Sequence, residues 1–227
     1  MTQTLPAAVL WDMDGTIIDT EPYWIDAEIA LATRDGGTWT HDDGLTLIGK
    51  ALPESAEILR ARAGVKGSNE EIVDDLVRQV GHLLRTHGAD WQPGARELLA
   101  ELNDAGIPCA LVTMSYASLA DILVELLPPN TFAAVVTGDM VTHGKPHPEP
   151  YLKAAELLGV DPTQCVAIED SPTGVASAEA AGARVIGVPH FVPIAATPSR
   201  SRVASLTDLT IELISQVHTG TRIDHVQ

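Results

Sequence analysis

Short apolar runs alternate with amphipathic helical periodicity along most of this chain. Continuous apolar runs of about four residues, bounded by turn residues, are typical of buried parallel strands. The predicted strands are residues 7–10, 109–112, 133–136, 165–168 and 184–188; the predicted helices begin after Gly94 and span 117–127, 149–158 and 173–181. This alternation predicts an α/β fold with a Rossmann-like parallel sheet covered on both faces. A last helix is predicted over 209–217, and the tail from His218 is predicted to fray.

A different pattern fills the segment between the first two predicted strands. From about Thr20 to His87 the strand signal disappears and apolar residues recur at spacings of three and four. Ser68 and Glu71 have the spacing of a capping box in front of the longest such repeat. The sequence therefore predicts a small all-helical insertion after the first strand, with residues 19–89 forming it and residues 1–18 and 90–227 forming the α/β core.

Composition and charge limit the classes of function. The 227 residues are 45% hydrophobic and 20% charged, and the formal net charge is −17. This charge argues against nucleic acid and anionic membrane surfaces as partners, and requires any anion site to be locally positive. No apolar stretch approaches the ~20 residues of a membrane span, and no signal peptide is evident. We expect a cytoplasmic protein, with no reason to expect a protein partner.

Two carboxylates stand at the end of the first predicted strand. Asp12 and Asp14 are two residues apart, so in extended chain their side chains point the same way, and Gly15 follows them. Like charges so close must be neutralised by a cation or a proton. The alternative is an ordinary solvated turn, for which Asp-Gly is common.

Polar groups also follow other predicted strands. Thr113 ends the second strand, Glu169 and Asp170 end the fourth, and Lys145 lies in a proline-flanked loop after the third. Because the carboxyl ends of parallel strands lie along one edge of a sheet, we expect these groups to converge. Singly, Thr113 could cap a helix and Lys145 could be a solvated loop residue; together they indicate a site.

These motifs, in this order, resemble the haloacid dehalogenase superfamily, in its branch of phosphatases and phosphomutases with a helical cap. The motifs are Asp12-Met13-Asp14-Gly15-Thr16, Thr113 after an apolar pair, Lys145 in Gly-Lys-Pro, and residues 169–175 (Glu-Asp-Ser-Pro-Thr-Gly-Val). The resemblance covers about residues 5–190 and implies that the helical insertion is the cap.

The resemblance implies roles for the carboxylates. Asp12 would be the nucleophile that forms an aspartyl-phosphate, and Asp14 would protonate the leaving oxygen and then deprotonate water. Mg²⁺ would bind Asp12, the backbone carbonyl of Asp14 and Asp170, with Glu169 as a further ligand or an indirect partner.

The resemblance also implies how substrate is held. Lys145 would bridge Asp12 and a phosphoryl oxygen. The others would be bound by the Thr113 hydroxyl and by backbone N–H groups near Met13, Asp14 and Met114. Candidates for contact with the rest of the substrate are Glu21, Tyr23, Trp24 and Trp91 near the hinges of the cap. Gly49 and Lys50 are further candidates, in a segment that resembles the family's cap loop that reaches the substrate.

The leading hypothesis is therefore Mg²⁺-dependent hydrolysis of a small phosphomonoester, with sugar and polyol phosphates as candidates. Asp14 argues against carbon–halogen hydrolysis, since haloacid dehalogenases lack this second aspartate. Thr16 favours hydrolysis over a β-phosphoglucomutase-type reaction only modestly, so phosphomutase is the alternative. A phosphometabolite-binding module without activity is the alternative from a different class.

Overall fold

The computed structural model describes residues 4–48 and 50–226, and its core is a parallel sheet. In chain order the strands are β1 (Ala8–Trp11), β2 (Ile18–Asp19), β3 (Asp90–Trp91), β4 (Cys109–Val112), β5 (Ala134–Val136), β6 (Cys165–Glu169), β7 (Arg184–Gly187) and β8 (Ser201–Arg202). The main sheet has the order β5-β4-β1-β6-β7-β8, and each neighbouring pair in it is parallel. The first strand is therefore central, between β4 and β6.

The helices cover both faces of this sheet and form the insertion. They are α1 (Glu21–Arg34), α2 (His41–Leu45), α3 (Leu52–Ala63), α4 (Asn69–His87), α5 (Ala95–Asp104), α6 (Ala117–Glu125), α7 (Glu149–Leu158), α8 (Pro172–Ala180) and α9 (Ile211–His218). The α/β fold with a parallel sheet is thus confirmed. In the described part of the chain, no helix combines the length and the apolar character needed to cross a bilayer.

Alternation along β1 divides the core into two apolar clusters. Val9 and Trp11 pack into the cluster that holds α5, α6 and α9, whereas Ala8 and Leu10 pack into the one that holds α7 and α8. All four side chains are fully buried. A strand buried on both faces needs an apolar side chain at every position, which explains why it reads as a continuous run.

The helical insertion leaves and re-enters the core through an antiparallel pair of two-residue strands. Ile18 of β2 pairs with Trp91 of β3, next to both predicted domain boundaries. Helices α1, α3 and α4 pack on one another, and α4 also contacts α6 of the core. At that contact a Cβ on Gly81 would lie 3.3 Å from Leu119. The division into 1–18 with 90–227 and 19–89 stays a prediction.

The predicted elements agree with the structure, whereas the two-residue strands β2, β3 and β8 and the five-residue helix α2 were not predicted. Strand 109–112 and helix 149–158 have the predicted bounds, and Ser68 and Glu71 form the predicted capping box. The expectation of a frayed tail was wrong, because the backbone N–H of Arg202 donates to Ile223 at 2.8 Å and that of His225 donates to Arg202 at 2.9 Å. Burial of Ile223 supplies the apolar contact that fastens the tail.

Candidate active site

The carboxyl end of β1 places Asp12 against a buried lysine. Lys145 donates from Nζ to Oδ1 of Asp12 at 2.6 Å, to Oε1 of Glu169 at 2.6 Å and to the carbonyl of Val112 at 2.9 Å. Burial disfavours the ammonium, but the charges of Asp12 and Glu169 outweigh burial and hold the pKa of Lys145 above its ordinary value. Lys145 therefore stays charged beside Asp12.

Asp14, by contrast, is surrounded by hydroxyl groups. Thr20 donates to its Oδ1 at 2.5 Å, and Thr113 and Ser115 donate to its Oδ2 at 3.0 and 2.9 Å. Burial and then the charge of Asp12 raise the pKa of Asp14, although these three hydrogen bonds act in the opposite direction. A hydroxyl can accept as well as donate, so Asp14 can gain a proton and keep these partners.

Three acidic side chains at the strand ends could hold a metal ion. One carboxylate oxygen from each of Asp12, Glu169 and Asp170 lies within 4.8 Å of the others. Among the described residues, buried Oδ2 of Asp12 has no hydrogen-bond partner. Burial, followed by the charges of Asp12 and Glu169, raises the pKa of Asp170 well above its ordinary value. An all-oxygen set with a free carboxylate oxygen fits a hard cation such as Mg²⁺.

Glu169 differs from Asp170 because protein groups already contact both of its oxygens. Oε1 accepts from Lys145 and, at 2.5 Å, from the hydroxyl of Tyr151; Oε2 accepts from Ser171 at 3.2 Å. The side chain is completely buried. Its contacts therefore orient Lys145, whereas Asp170 has the freer carboxylate.

Two glycines make room for these carboxylates. A Cβ on Gly15 would lie 2.2 Å from Oδ2 of Asp170, and the φ of +85° at Gly15 is itself unfavourable for other residues. A Cβ on Gly174 would lie 1.9 Å from Oε1 of Glu169. Both distances are far below van der Waals contact, so the backbone approaches both carboxylates where only glycine fits.

The residues predicted to bind phosphoryl oxygens lie at this edge, with one unexpected contact. The Thr113 hydroxyl is directed at Asp14, and its oxygen also accepts from the N–H of Ser115 at 2.9 Å. Met114 lines the cavity, and its sulfur accepts from the N–H of Lys145 at 3.2 Å. The side chain of Asp14 accepts hydrogen bonds from these hydroxyls, and the atom of Asp14 that was predicted to bind the metal is its backbone carbonyl oxygen.

The cap residues border the same cavity. This cavity of about 140 Å³ lies between the strand ends and the helical insertion, and Glu21 and Lys50 line it. Lys50 is paired with Glu54, with 2.5 Å between Nζ and Oε1. Gly49, also predicted to contact substrate, lies outside the described residues.

Sequence reasoning missed several side chains that define these environments. Thr20, Ser115 and Tyr151 reach the acidic groups from β2–α1, the loop after β4 and α7. Glu28, buried in the insertion, also lines the cavity. Only Glu28 carried a signal in the chain, as a charged residue on the helical face that buries Trp24 and Leu31.

Comparison with known proteins gives matches over most of the chain. The family model of haloacid dehalogenase-like hydrolases matches residues 9–188. Hexitol phosphatase A of Escherichia coli is 35% identical in an alignment of 186 residues that covers 79% of this chain and 81% of that protein. Beta-phosphoglucomutase of Bacillus subtilis is 30% identical, over 92% of this chain and 94% of that enzyme. The crystal structure of CbbY from Rhodobacter sphaeroides in complex with phosphate superposes with a TM-score of 0.80 at 27% identity, covering 90% and 96% of the two chains.

Proposed function

Since this chain belongs to the haloacid dehalogenase-like hydrolases and is a phosphatase of that family, we propose that it hydrolyses a small sugar or polyol phosphate with Mg²⁺ as cofactor. The observation that carries this proposal is the contrast between the two carboxylates at the end of β1. Asp12 contacts a buried cation, and Asp14 contacts three hydroxyls. This contrast suits an ionised nucleophile next to a proton carrier.

In the first step, a carboxylate oxygen of Asp12 attacks phosphorus and the ester bond breaks. The leaving alkoxide takes a proton from Asp14, which gives the free alcohol and an aspartyl-phosphate. In the second step, Asp14 takes a proton from water as the water oxygen attacks phosphorus. The bond to Asp12 then breaks, inorganic phosphate leaves, and both carboxyl groups return to their starting states.

Charge at the strand ends supports both steps. Lys145 contacts Asp12 through its ammonium group and is close enough to meet a phosphoryl oxygen bound there. When bound by Asp12 and Asp170, Mg²⁺ would shield the phosphoryl charge from the acidic groups. Glu169 accepts a hydrogen bond from Lys145 and is itself held by the hydroxyl of Tyr151, and these contacts hold Lys145 in position.

The substrate class is proposed from the relatives and the cavity. Hexitol phosphatase A of Escherichia coli supports a polyol phosphate, and the cavity above the strand ends provides space for a small leaving group. The second candidate is a phosphomutase, favoured by the likeness to a beta-phosphoglucomutase over nearly the whole chain. A mutase requires a bisphosphate primer and returns an isomer, whereas a hydrolase releases phosphate from monophosphate alone.

Phosphate release from sorbitol 6-phosphate and from 4-nitrophenyl phosphate, with and without Mg²⁺, tests the proposal. We expect Mg²⁺-dependent release by the wild type and a loss of at least about 10³-fold in Asp12→Asn, the order seen when a nucleophile is removed. Asp26→Asn, an exposed change on α1, is the matched control and should retain activity. Equal activity of wild type and Asp12→Asn would refute the mechanism. Isomerisation that needs a bisphosphate, without net phosphate release, would identify the mutase.

A further inference from the structure

We propose that Glu28, together with Glu21, forms a subsite for the hydroxyl groups of the leaving group, and that this subsite rejects leaving groups carrying a second anionic group. The substrates it favours are monophosphates whose leaving group is uncharged and polyhydroxylated. The inference rests on the proposed function, because it assigns the part of the substrate that lies beyond the phosphoryl group.

Glu28 is held in a fixed orientation inside the insertion. It is 4% exposed, and Nε1 of Trp39 donates to its Oε2 at 2.9 Å. Gly44 of α2 leaves space for the same oxygen, since a Cβ there would lie 3.1 Å from it. With Oε2 occupied, Oε1 is left for a ligand in the cavity that Glu28 lines.

Glu21 extends this polar group toward the reacting atoms. It lies seven residues before Glu28, about two helical turns, so both side chains project from one face of α1. The lining between them is largely apolar and includes Trp24, Leu47 and Leu76. Two carboxyl groups in an apolar wall are suited to orient a ligand that offers hydroxyl groups.

The acidity of the two groups fits this role. Burial raises the pKa of Glu28 to about 7, against a smaller opposite effect of the Trp39 hydrogen bond. Burial, followed by the charges of Asp14, Glu28 and Asp19, raises the pKa of Glu21 to about 8. Near neutral pH each group can donate or accept, and the hydroxyls of a polyol can do both.

An anionic leaving group meets the opposite situation. Among the described residues that line the cavity, the cations are Lys50 and Lys145, and each already has a carboxylate partner. A second phosphate or carboxylate would have to approach Glu21 and Glu28 with no free positive charge to compensate. A buried anion without a free cationic partner is costly, and Glu28 and Glu21 add repulsion once they ionise, so the wall selects against such substrates.

The test compares three substrates on the full-length protein with Mg²⁺: sorbitol 6-phosphate, 2-phosphoglycolate and 4-nitrophenyl phosphate. For the wild type, we expect kcat/KM to be at least about tenfold higher with sorbitol 6-phosphate than with 2-phosphoglycolate. In Glu28→Ala, the ratio of kcat/KM for sorbitol 6-phosphate to that for 4-nitrophenyl phosphate should fall about tenfold, mainly through KM. In Glu28→Gln, which keeps an acceptor for Trp39, hydrolysis of 2-phosphoglycolate at pH 8, where Glu28 is mostly ionised, should increase at least about threefold because the charge is removed.

The outcomes separate this inference from the proposed function. Glu57→Ala, an exposed glutamate on α3, is the matched control and should leave every ratio unchanged. If the wild type hydrolyses none of the three substrates, the proposed function fails. If it is active but prefers 2-phosphoglycolate, the subsite inference is overturned while the function stands. The same holds if Glu28→Ala lowers kcat/KM for all substrates equally, since that result indicates a structural role.

Discussion

Gly174→Ala tests whether the packing around Glu169 holds the catalytic lysine in place. Gly174 lies in the first turn of α8, outside the left-handed backbone region, so alanine is compatible with its backbone. Its Cβ would lie 1.9 Å from Oε1 and 2.0 Å from Oε2 of Glu169. The carboxylate must therefore move away from both Lys145 and Tyr151.

The expected cost follows from the contacts that are lost. The bonds from Lys145 and Tyr151 to Glu169 measure 2.6 and 2.5 Å and lie in a fully buried region. A hydrogen bond that involves a charged group contributes about 1.5–3 kcal/mol, so two give about 3–6 kcal/mol. Alanine returns up to about 1 kcal/mol through helix propensity. We expect Gly174→Ala to lower the free energy of unfolding by about 2–5 kcal/mol.

Urea unfolding of a double-mutant cycle measures this effect. The second change is Glu169→Ala, which removes the carboxylate that the new methyl group would meet. In that background Gly174→Ala should cost less than about 1 kcal/mol, and the coupling energy should exceed about 1 kcal/mol. An equal cost in both backgrounds would refute the reasoning, because it would place the clash elsewhere than at Glu169.

Three further predictions concern other parts of the site. Gly15→Ala keeps every proposed ligand residue but should displace the Asp170 carboxylate, and so weaken Mg²⁺ binding at least about tenfold. Calorimetric titration with Mg²⁺ measures this, and an unchanged affinity would place the metal elsewhere. Tyr151→Phe should lower the free energy of unfolding by about 1.5–3 kcal/mol in urea titrations, because Glu169 loses a buried donor; a change below about 0.5 kcal/mol would contradict this. Folding raises the pKa of Glu28 from 4.5 to about 7, so between these values the folded state binds a proton that the unfolded state releases. The free energy of unfolding of the wild type should therefore fall by about 3 kcal/mol, relative to Glu28→Gln, as the pH rises from 4.5 to about 7. Urea titrations of both proteins across that pH range measure this effect. The same change of the free energy of unfolding with pH in both proteins would contradict it.

The sheet was predictable from sequence because its central strands are buried on both faces. Such strands must be apolar throughout, and the runs at β1, β4 and β6 were visible for that reason. The two-residue strands β2, β3 and β8 were not predictable, since two residues carry no periodicity. The fastened tail depends on backbone bonds to Arg202, which no local pattern encodes.

The sequence predicted which site residues lie together, because their positions at strand ends determine this. Because the carboxyl ends of parallel strands meet at one edge, the sequence alone predicts that Asp12, Lys145 and Asp170 lie together, as they do. The partners of each group depend on tertiary packing. Ser115 and the direction of the Thr113 hydroxyl follow from how the loop after β4 turns over Asp14, and sequence spacing does not specify that turn.

The most direct test of the central claim is intact-protein mass spectrometry of Asp14→Asn after mixing with Mg²⁺ and 4-nitrophenyl phosphate. The good leaving group needs little help from an acid, so phosphoryl transfer to the protein should proceed while its hydrolysis, which needs Asp14 as base, should be slow. The account predicts a mass increase of one phosphoryl group, located on Asp12 by peptide mapping and absent from Asp12→Asn/Asp14→Asn. A phosphoryl group on any other residue, or none in a variant whose wild-type parent hydrolyses the same substrate, would contradict it.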